Sequence, residues 1–564
     1  MDYDLVIRNG TVVDGTGFAP YRADVGVKDG LIARIGRIDD TTARDIDADG
    51  HVVAPGFIDL HTHMDAQIFW DQLGSNSCYH GITSVVMGNC GFTLAPAPVE
   101  QRHLVVRNLE RAEDISGAAM AAGIDWTWSS FAEYLDAVDR LPKAINYAAN
   151  IGHSALRTFV MGERAFDGPA TDEQIAAMDR ELRDALHAGA IGFTTSRSDQ
   201  HETSDNRPVA SRLAAWQEVQ RLVGTLGQLG AGVFQLTSEP AAQSNDDDIR
   251  NEYFSRLRAL ALDTRVPMTF GVLGTTGGLR VLDLIDSVSN EGGQMFGLAH
   301  SRGIAVLTSF RTRLAFDVLP EWKELRSLPL DEQHKALRDP AVRERLIHAA
   351  HHGDYGRPLG AEARKPDYEI MYVLERPVPP NPSVAEIAAQ RGIDPVEAII
   401  DLALETDLGQ FFMQPVTRYE DSALKATMKH PRTVMTFSDS GAHVSQIADC
   451  SIQTHLLAHW VRDRQEFTLE EAVRMLTLAP ARAWGFHDRG LVREGLVADI
   501  NVFDPATVAP RMPTIVHDLP GGARRLEQRA DGFLATLVGG EPILQSGEPT
   551  GACPGRLVRG PLAR

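Results

Sequence analysis

Residues 56 to 65 read GFIDLHTHMD, a run of apolar and small residues that ends on an aspartate and two histidines with one residue between them. In an extended strand, residues i and i+2 face the same side, so His61 and His63 project together into one space. Two imidazoles side by side at a strand end have metal-ligand geometry. The competing reading is a pair of ordinary histidines on a half-buried strand, and the choice depends on what surrounds them.

Upstream, residues 1–55 alternate in strand fashion through DYDLVIRNGTVVDGTG, ADVGVKDGLIARIG and HVVAPG, with Asn-Gly and Asp-Gly turns between them. This reads as a small antiparallel sheet. Downstream, short β-rich runs alternate with helical segments: TSVVMGNC, AINYAANIGHS, GAIGFTTS, AGVFQLTSE, VPMTFGVLG, IAVLTSF and RTVMTFSDSGAH. Repeated βα units imply a parallel sheet, and so many of them favour a closed (β/α)8 barrel. The charged, helix-forming stretch 311–374 interrupts the alternation and reads as an insertion lining the barrel mouth. LVREGLVADINVFDP and FLATLVGGEPILQSGEPTG then return to strand-and-turn grammar. The expected organisation is a catalytic barrel over 56–485 and a small β-sandwich built from both termini, 1–55 and 486–564.

Composition narrows the function classes. Of 564 residues, 43% are hydrophobic and 23% charged, with a net charge of −21 from 55 basic and 76 acidic residues. Such a balance gives phosphate-backbone binding little support, so nucleic acid is not an expected partner. Four cysteines, at 78, 90, 450 and 553, are too few and scattered for a disulfide framework, and suit a reducing compartment. No apolar stretch approaches the roughly 20 residues that a membrane helix needs, and MDYDLVIRNG is no signal peptide. The expectation is a cytoplasmic protein acting on a small molecule, without membrane partner. Self-association stays open, because no interface is legible.

In a barrel of this kind, chemistry gathers at the C-terminal ends of the strands. The second run ends on Cys90, followed by Gly91; this is either a small buried hydrophobe or a thiolate ligand. The last run ends on Ser438, Asp439, Ser440 and Gly441. Asp439 is either turn chemistry or, opposite the histidines across the mouth, a metal ligand and general base. Other motifs give less. LGTTGGLR and GGQMFGLAHSRG lack phosphate-loop spacing, and no GxSxG elbow is present. His455 and His459 lie four apart on a helix without the HExxH glutamate, and read as packing residues. Trp126, Trp128 and Phe131 read as a helix start with core aromatics.

These residues carry a family resemblance over nearly the whole chain. The opening DLVIRNGTVVDGTG, PGFIDLHTHMD, GITSVVMGNCGFTLAP, INYAANIGHSALR, SDSGAH and RGLVREGLVADINVFDP resemble the amidohydrolase superfamily, and NCGFTLAP and GHSALR resemble its N-acyl-D-amino-acid deacylase (D-aminoacylase) branch. The resemblance implies that His61, His63, Cys90 and Asp439 bind zinc and that Asp439 is the catalytic base. It also implies histidines ending the fifth and sixth barrel strands, where this chain has AGVFQLTSEP and VPMTFGVLGT.

Two expected ligands are therefore missing. Either one zinc per chain is held by His61, His63 and Asp439 with Cys90, or Gln235, Glu239 or His153 completes the site. These three and His443 are also candidate substrate contacts. The implied activity is hydrolysis of an N-acyl-D-amino acid or a similar carboxylate-bearing amide. The alternatives are a hydrolase opening a cyclic amide or lactone, and a barrel without catalysis.

Overall fold

The computed structural model describes residues 2–40, 42, 44–359 and 364–563. Eight strands form the barrel: β1 (Phe57–Asp59), β2 (Ile82–Met87), β3 (Asn146–Ala149, continued by Ile151–Gly152), β4 (Gly192–Ser196), β5 (Val233–Thr237), β6 (Met268–Gly271), β7 (Met295–Ala299) and β8 (Thr433–Met435). Neighbours pair in parallel from β1 to β3 and from the continuation of β3 through β8. The ring closes where Thr62 bridges Ser440, His63 N donates to Ser440 O at 2.7 Å and Asp439 N donates to His61 O at 3.1 Å. At the break in β3 the C-terminal tail lies alongside, with Tyr147 N donating to Arg556 O (3.0 Å) and Val558 N to Tyr147 O (2.7 Å). The strands are almost wholly buried, as a parallel sheet covered on both faces must be.

Nine strands from both termini form one sheet, with Val52–Pro55 set between Leu5–Val12 and Ile500–Phe503. Leu5, Ile7, Val25, Val27, Val53, Ile500, Val502 and Leu537 fill its core. The sheet is mixed: Leu5–Val12 runs parallel to Asp45–Asp47 and to Val52–Val53. The antiparallel expectation for residues 1–55 holds for the two pairings among Leu5–Val12, Tyr21–Lys28 and Leu31–Gly36. It fails for the last two strands because the segment after Gly36 crosses back before it pairs.

A second correction concerns IAVLTSF. Ala305–Thr308 pairs antiparallel with Phe412–Pro415 in a three-stranded sheet outside the barrel. The seventh barrel strand is the preceding run, Met295–Ala299, inside a stretch read only for its glycines. Two apolar runs a few residues apart look alike in sequence, and periodicity does not say which one is covered on both faces. The chain between β7 and β8 therefore leaves the barrel from 305 to 415 and has its own core, with Trp322 stacked on Phe316 (4.3 Å) among Leu346, Ile399 and Phe412. Of the expected insertion 311–374, residues 360–363 lie outside the described residues, as do the expected terminal-domain residues Met1, Thr41, Ala43 and Arg564.

Trp128 stacks on Phe69 (5.0 Å) and donates its indole N–H to Leu94 O, just before a helix at Phe131–Arg140 that Ser130 and Glu133 cap reciprocally. Among the described residues no helix is long and apolar enough to cross a membrane.

Candidate metal centre

The ends of β1, β2 and β8 bring four side chains to one point. One ligand atom from each of His61, His63 and Cys90 lies within 4.8 Å of the others, and all three residues are buried. Cys90 Sγ is 3.4 Å from His61 Nε2. Asp439 Oδ1 reaches both imidazoles, 3.3 Å from His61 Nε2 and 3.1 Å from His63 Nε2. Two strand ends hold left-handed backbone to do this, Cys90 at φ 55° and Asp439 at φ 55°, a conformation that non-glycine residues adopt at functional sites when their surroundings hold it.

Those surroundings are visible. Cys90 N donates to Gln235 Oε1 from β5 (2.8 Å), Gly91 N donates to Thr194 Oγ1 from β4 (3.0 Å), and Ser154 N donates to Gly91 O (3.0 Å). Beneath the histidines, the buried Asp59 carboxylate accepts from His61 N (3.2 Å), Thr436 Oγ1 (3.2 Å) and Gln453 Nε2 (3.2 Å). Glu113, at the end of the helix Arg102–Glu113, places Oε1 3.1 Å from His63 Nδ1 and is itself buried. A carboxylate behind a histidine fixes its ring and raises its basicity toward a metal.

Electrostatics agree with a cation between these groups. Burial works against charge on all four, yet Cys90 is drawn down to about 7 by the neighbouring imidazoles of His61 and His63. Asp439 is held well below the usual carboxylate range by hydrogen bonds to the same two rings. Two nitrogens, a thiolate and a carboxylate are a natural donor set for a divalent ion.

The remaining sequence candidates sit elsewhere. His153 is fully buried, with Nδ1 on Thr195 Oγ1 (2.8 Å) and Nε2 on Glu218 (2.8 Å), so neither nitrogen is left for a metal or substrate. Glu239 is taken by Arg197 (3.0 Å) and Arg256 (2.9 Å), one on each oxygen. Gln235 reaches the site only through the Cys90 backbone. His443 follows Asp439 on the same loop, also left-handed at φ 47°.

Three residues escape the sequence reading: Glu113, His201 and His300. His201, after β4, bonds Ser196 Oγ through Nδ1 (2.7 Å), packs on Phe92 (5.2 Å), and is pushed down to about 3 by burial and by the nearby His443 and His63. His300 ends β7 and lies 3.4 Å from Asp449. A histidine shortly after β4 and another directly after β7 were the available signal; β7 was missed because IAVLTSF stood in its place. His455 packs with Nδ1 on Ser301 Oγ (3.2 Å).

The model of the amidohydrolase family matches residues 44–281 and 333–544. The chain belongs to the amidohydrolase family. An N-acyl-D-glutamate deacylase of Alcaligenes xylosoxydans xylosoxydans is 30% identical to this amidohydrolase over 99% of this chain and 96% of its own length. A D-aminoacylase of the same organism is 28% identical over 99% and 97%. A solved D-aminoacylase with a binuclear metal centre, described by one-metal activation and second-metal attenuation, superposes with a TM-score of 0.66 at 25% identity, covering 99% of this chain and 100% of that one. As an amidohydrolase the protein is a hydrolase of carbon–nitrogen bonds other than peptide bonds.

Proposed function

We propose that this amidohydrolase deacylates an N-acyl-D-amino acid, with one zinc ion held by His61, His63, Cys90 and Asp439. The observation that carries the reading is the position of Asp439 Oδ1, within 3.3 Å of Nε2 of both histidines, which themselves converge with Cys90. The donors support a single metal. Among the described residues no second group of three histidine, cysteine or acidic side chains converges, and β5 and β6 run into Thr237-Ser238-Glu239 and Gly271-Val272 without a histidine. One-metal activation of the solved D-aminoacylase supports a single ion as sufficient.

Bound there, the ion supplies Lewis-acid polarisation of the amide carbonyl and an acidified water. Asp439, as a carboxylate beside the ion, would take the proton of the attacking water and return it to the amide nitrogen as the C–N bond breaks. Glu113 holds the His63 ring, and Gln235 and Thr194 hold the Cys90 turn. The four free cysteines suit a reducing compartment such as the cytoplasm. The test is a panel of N-acyl-D- and N-acyl-L-amino acids. Turnover of D substrates, with kcat reduced at least about a thousandfold in Asp439→Asn, supports the reading. Turnover of cyclic amides alone refutes it.

A further inference from the structure

A cavity of about 550 Å³ lies between the loop that follows Asp439 and the 305–415 excursion, and none of the four converging side chains lines it. Among the described residues its wall carries Arg311, Arg313, Arg326, Arg364 and Arg524, and one acid, Asp317. That is the reverse of the whole chain, which carries a net charge of −21. Arg326 is satisfied within the wall by Asp317 (2.9 Å). Arg311 and Arg313 reach carboxylates outside it, Asp407 (2.9 Å) and Asp114 (2.6 Å). Arg524, from the C-terminal hairpin, donates only to the carbonyls of Arg311 (3.0 Å) and Thr312 (3.1 Å) and pairs with no carboxylate among the described residues. Partial burial and the neighbouring Arg326 and Arg313 push its guanidinium below its ordinary value, against the opposing pull of Asp114 and Asp317.

The rest of the wall mixes apolar side chains with Thr308, Thr312, Gln333, Gln414 and Gln446. Phe310 and Met371 are buried in it, and Val318 and Leu330 remain 38% and 44% exposed. We propose that this cavity binds a small amphiphilic anion, a carboxylate or phosphate head on a short apolar tail, at a site separate from the metal cluster. Guanidinium groups match both heads with paired N–H donors. The volume is in the range of small-molecule pockets, roughly 300–1,000 Å³, and a local excess of positive charge on an acidic protein concentrates anions there. Arg313 ties the wall to the catalytic surroundings, because its partner Asp114 also accepts from Ser445 N (3.2 Å) in the loop after Asp439.

The test is calorimetric titration of octanoate and of octyl phosphate, with octanamide as the uncharged probe, into the full-length protein. The same titrations are run on His63→Ala and on chelator-treated wild type, where a head group seated on the metal would lose its site. The expected result is saturable binding of about one anion per chain in all three preparations, weakened at least about tenfold in Arg524→Gln and in Leu330→Asp and by high salt. A tighter fit of octanoate assigns a carboxylate head, and of octyl phosphate a phosphate head. Binding that disappears with the metal, octanamide binding as tightly as octanoate, or no saturation by about 10 mM overturns the proposal.

Discussion

Left-handed backbone at Cys90 and Asp439 costs each residue roughly 1–3 kcal/mol relative to relaxed conformations. The neighbours keep those turns in place, and Gly441 is the tightest of them. Its φ is +95°, and an added Cβ would stand 2.5 Å from His63 O. Gly441→Ala is expected to displace the β8 end from β1, lowering stability by about 1–3 kcal/mol and activity at least about tenfold; thermal unfolding and kcat measure both. Glu113→Gln leaves the His63 ring without its carboxylate and is expected to weaken metal affinity about 10–100-fold, read by competition with a chelator. His61, His63, Cys90 and Asp439 were legible because each ends a recognisable apolar run. Glu113 was not, because in LERAED it looks like the solvated face of a helix and nothing local signals that its oxygen points inward.

At the scale of elements, β5 adds no side chain to the cluster but holds the Cys90 turn through Gln235. Gln235→Leu removes the acceptor of a buried Cys90 N–H, a loss of about 1–3 kcal/mol, and is expected to lower metal occupancy while the barrel stays folded; near-ultraviolet circular dichroism and metal content separate the two effects. The strand runs TSVVMGNC, GAIGFTTS, AGVFQLTSE and VPMTFGVLG were legible as barrel strands because a short run rich in β-branched and apolar residues, between helical patterns, has few other places to go. The exchange of IAVLTSF for MFGLA shows where that reasoning stops. Both runs are buried, and only the partner strands, Phe412–Pro415 for one and β6 and β8 for the other, distinguish them.

For the molecule as a whole, the terminal sheet and C-terminal segments are tied to the barrel by buried polar contacts. His80 is the clearest, with Nδ1 on Thr454 Oγ1 (2.8 Å) and Nε2 on Gln528 O (3.0 Å). Burial, reinforced by Arg302, pushes it down to about 3. A histidine held neutral in the fold but protonated near pH 6.5 when unfolded contributes stability that is complete above about pH 6.5 and is lost as pH falls toward 3, by up to about 1.4 kcal/mol per pH unit. Unfolding temperature is therefore expected to fall below pH 6.5, and less steeply in His80→Gln. The closed barrel with a sheet from both termini was legible from the change of grammar at Gly56 and the return to strands near the C-terminus. The size of the 305–415 excursion was not, since its helices read like any others until their separate core around Trp322 is seen.

The proposed site holds a single metal ion between side chains from β1, β2 and β8. The most direct measurement is metal content per chain by elemental analysis of the wild type, Cys90→Ala and His61→Ala/His63→Ala. About one equivalent in the wild type, reduced in Cys90→Ala and absent from the double variant, is the predicted result. Two equivalents in the wild type, or one retained after both histidines are lost, would contradict it.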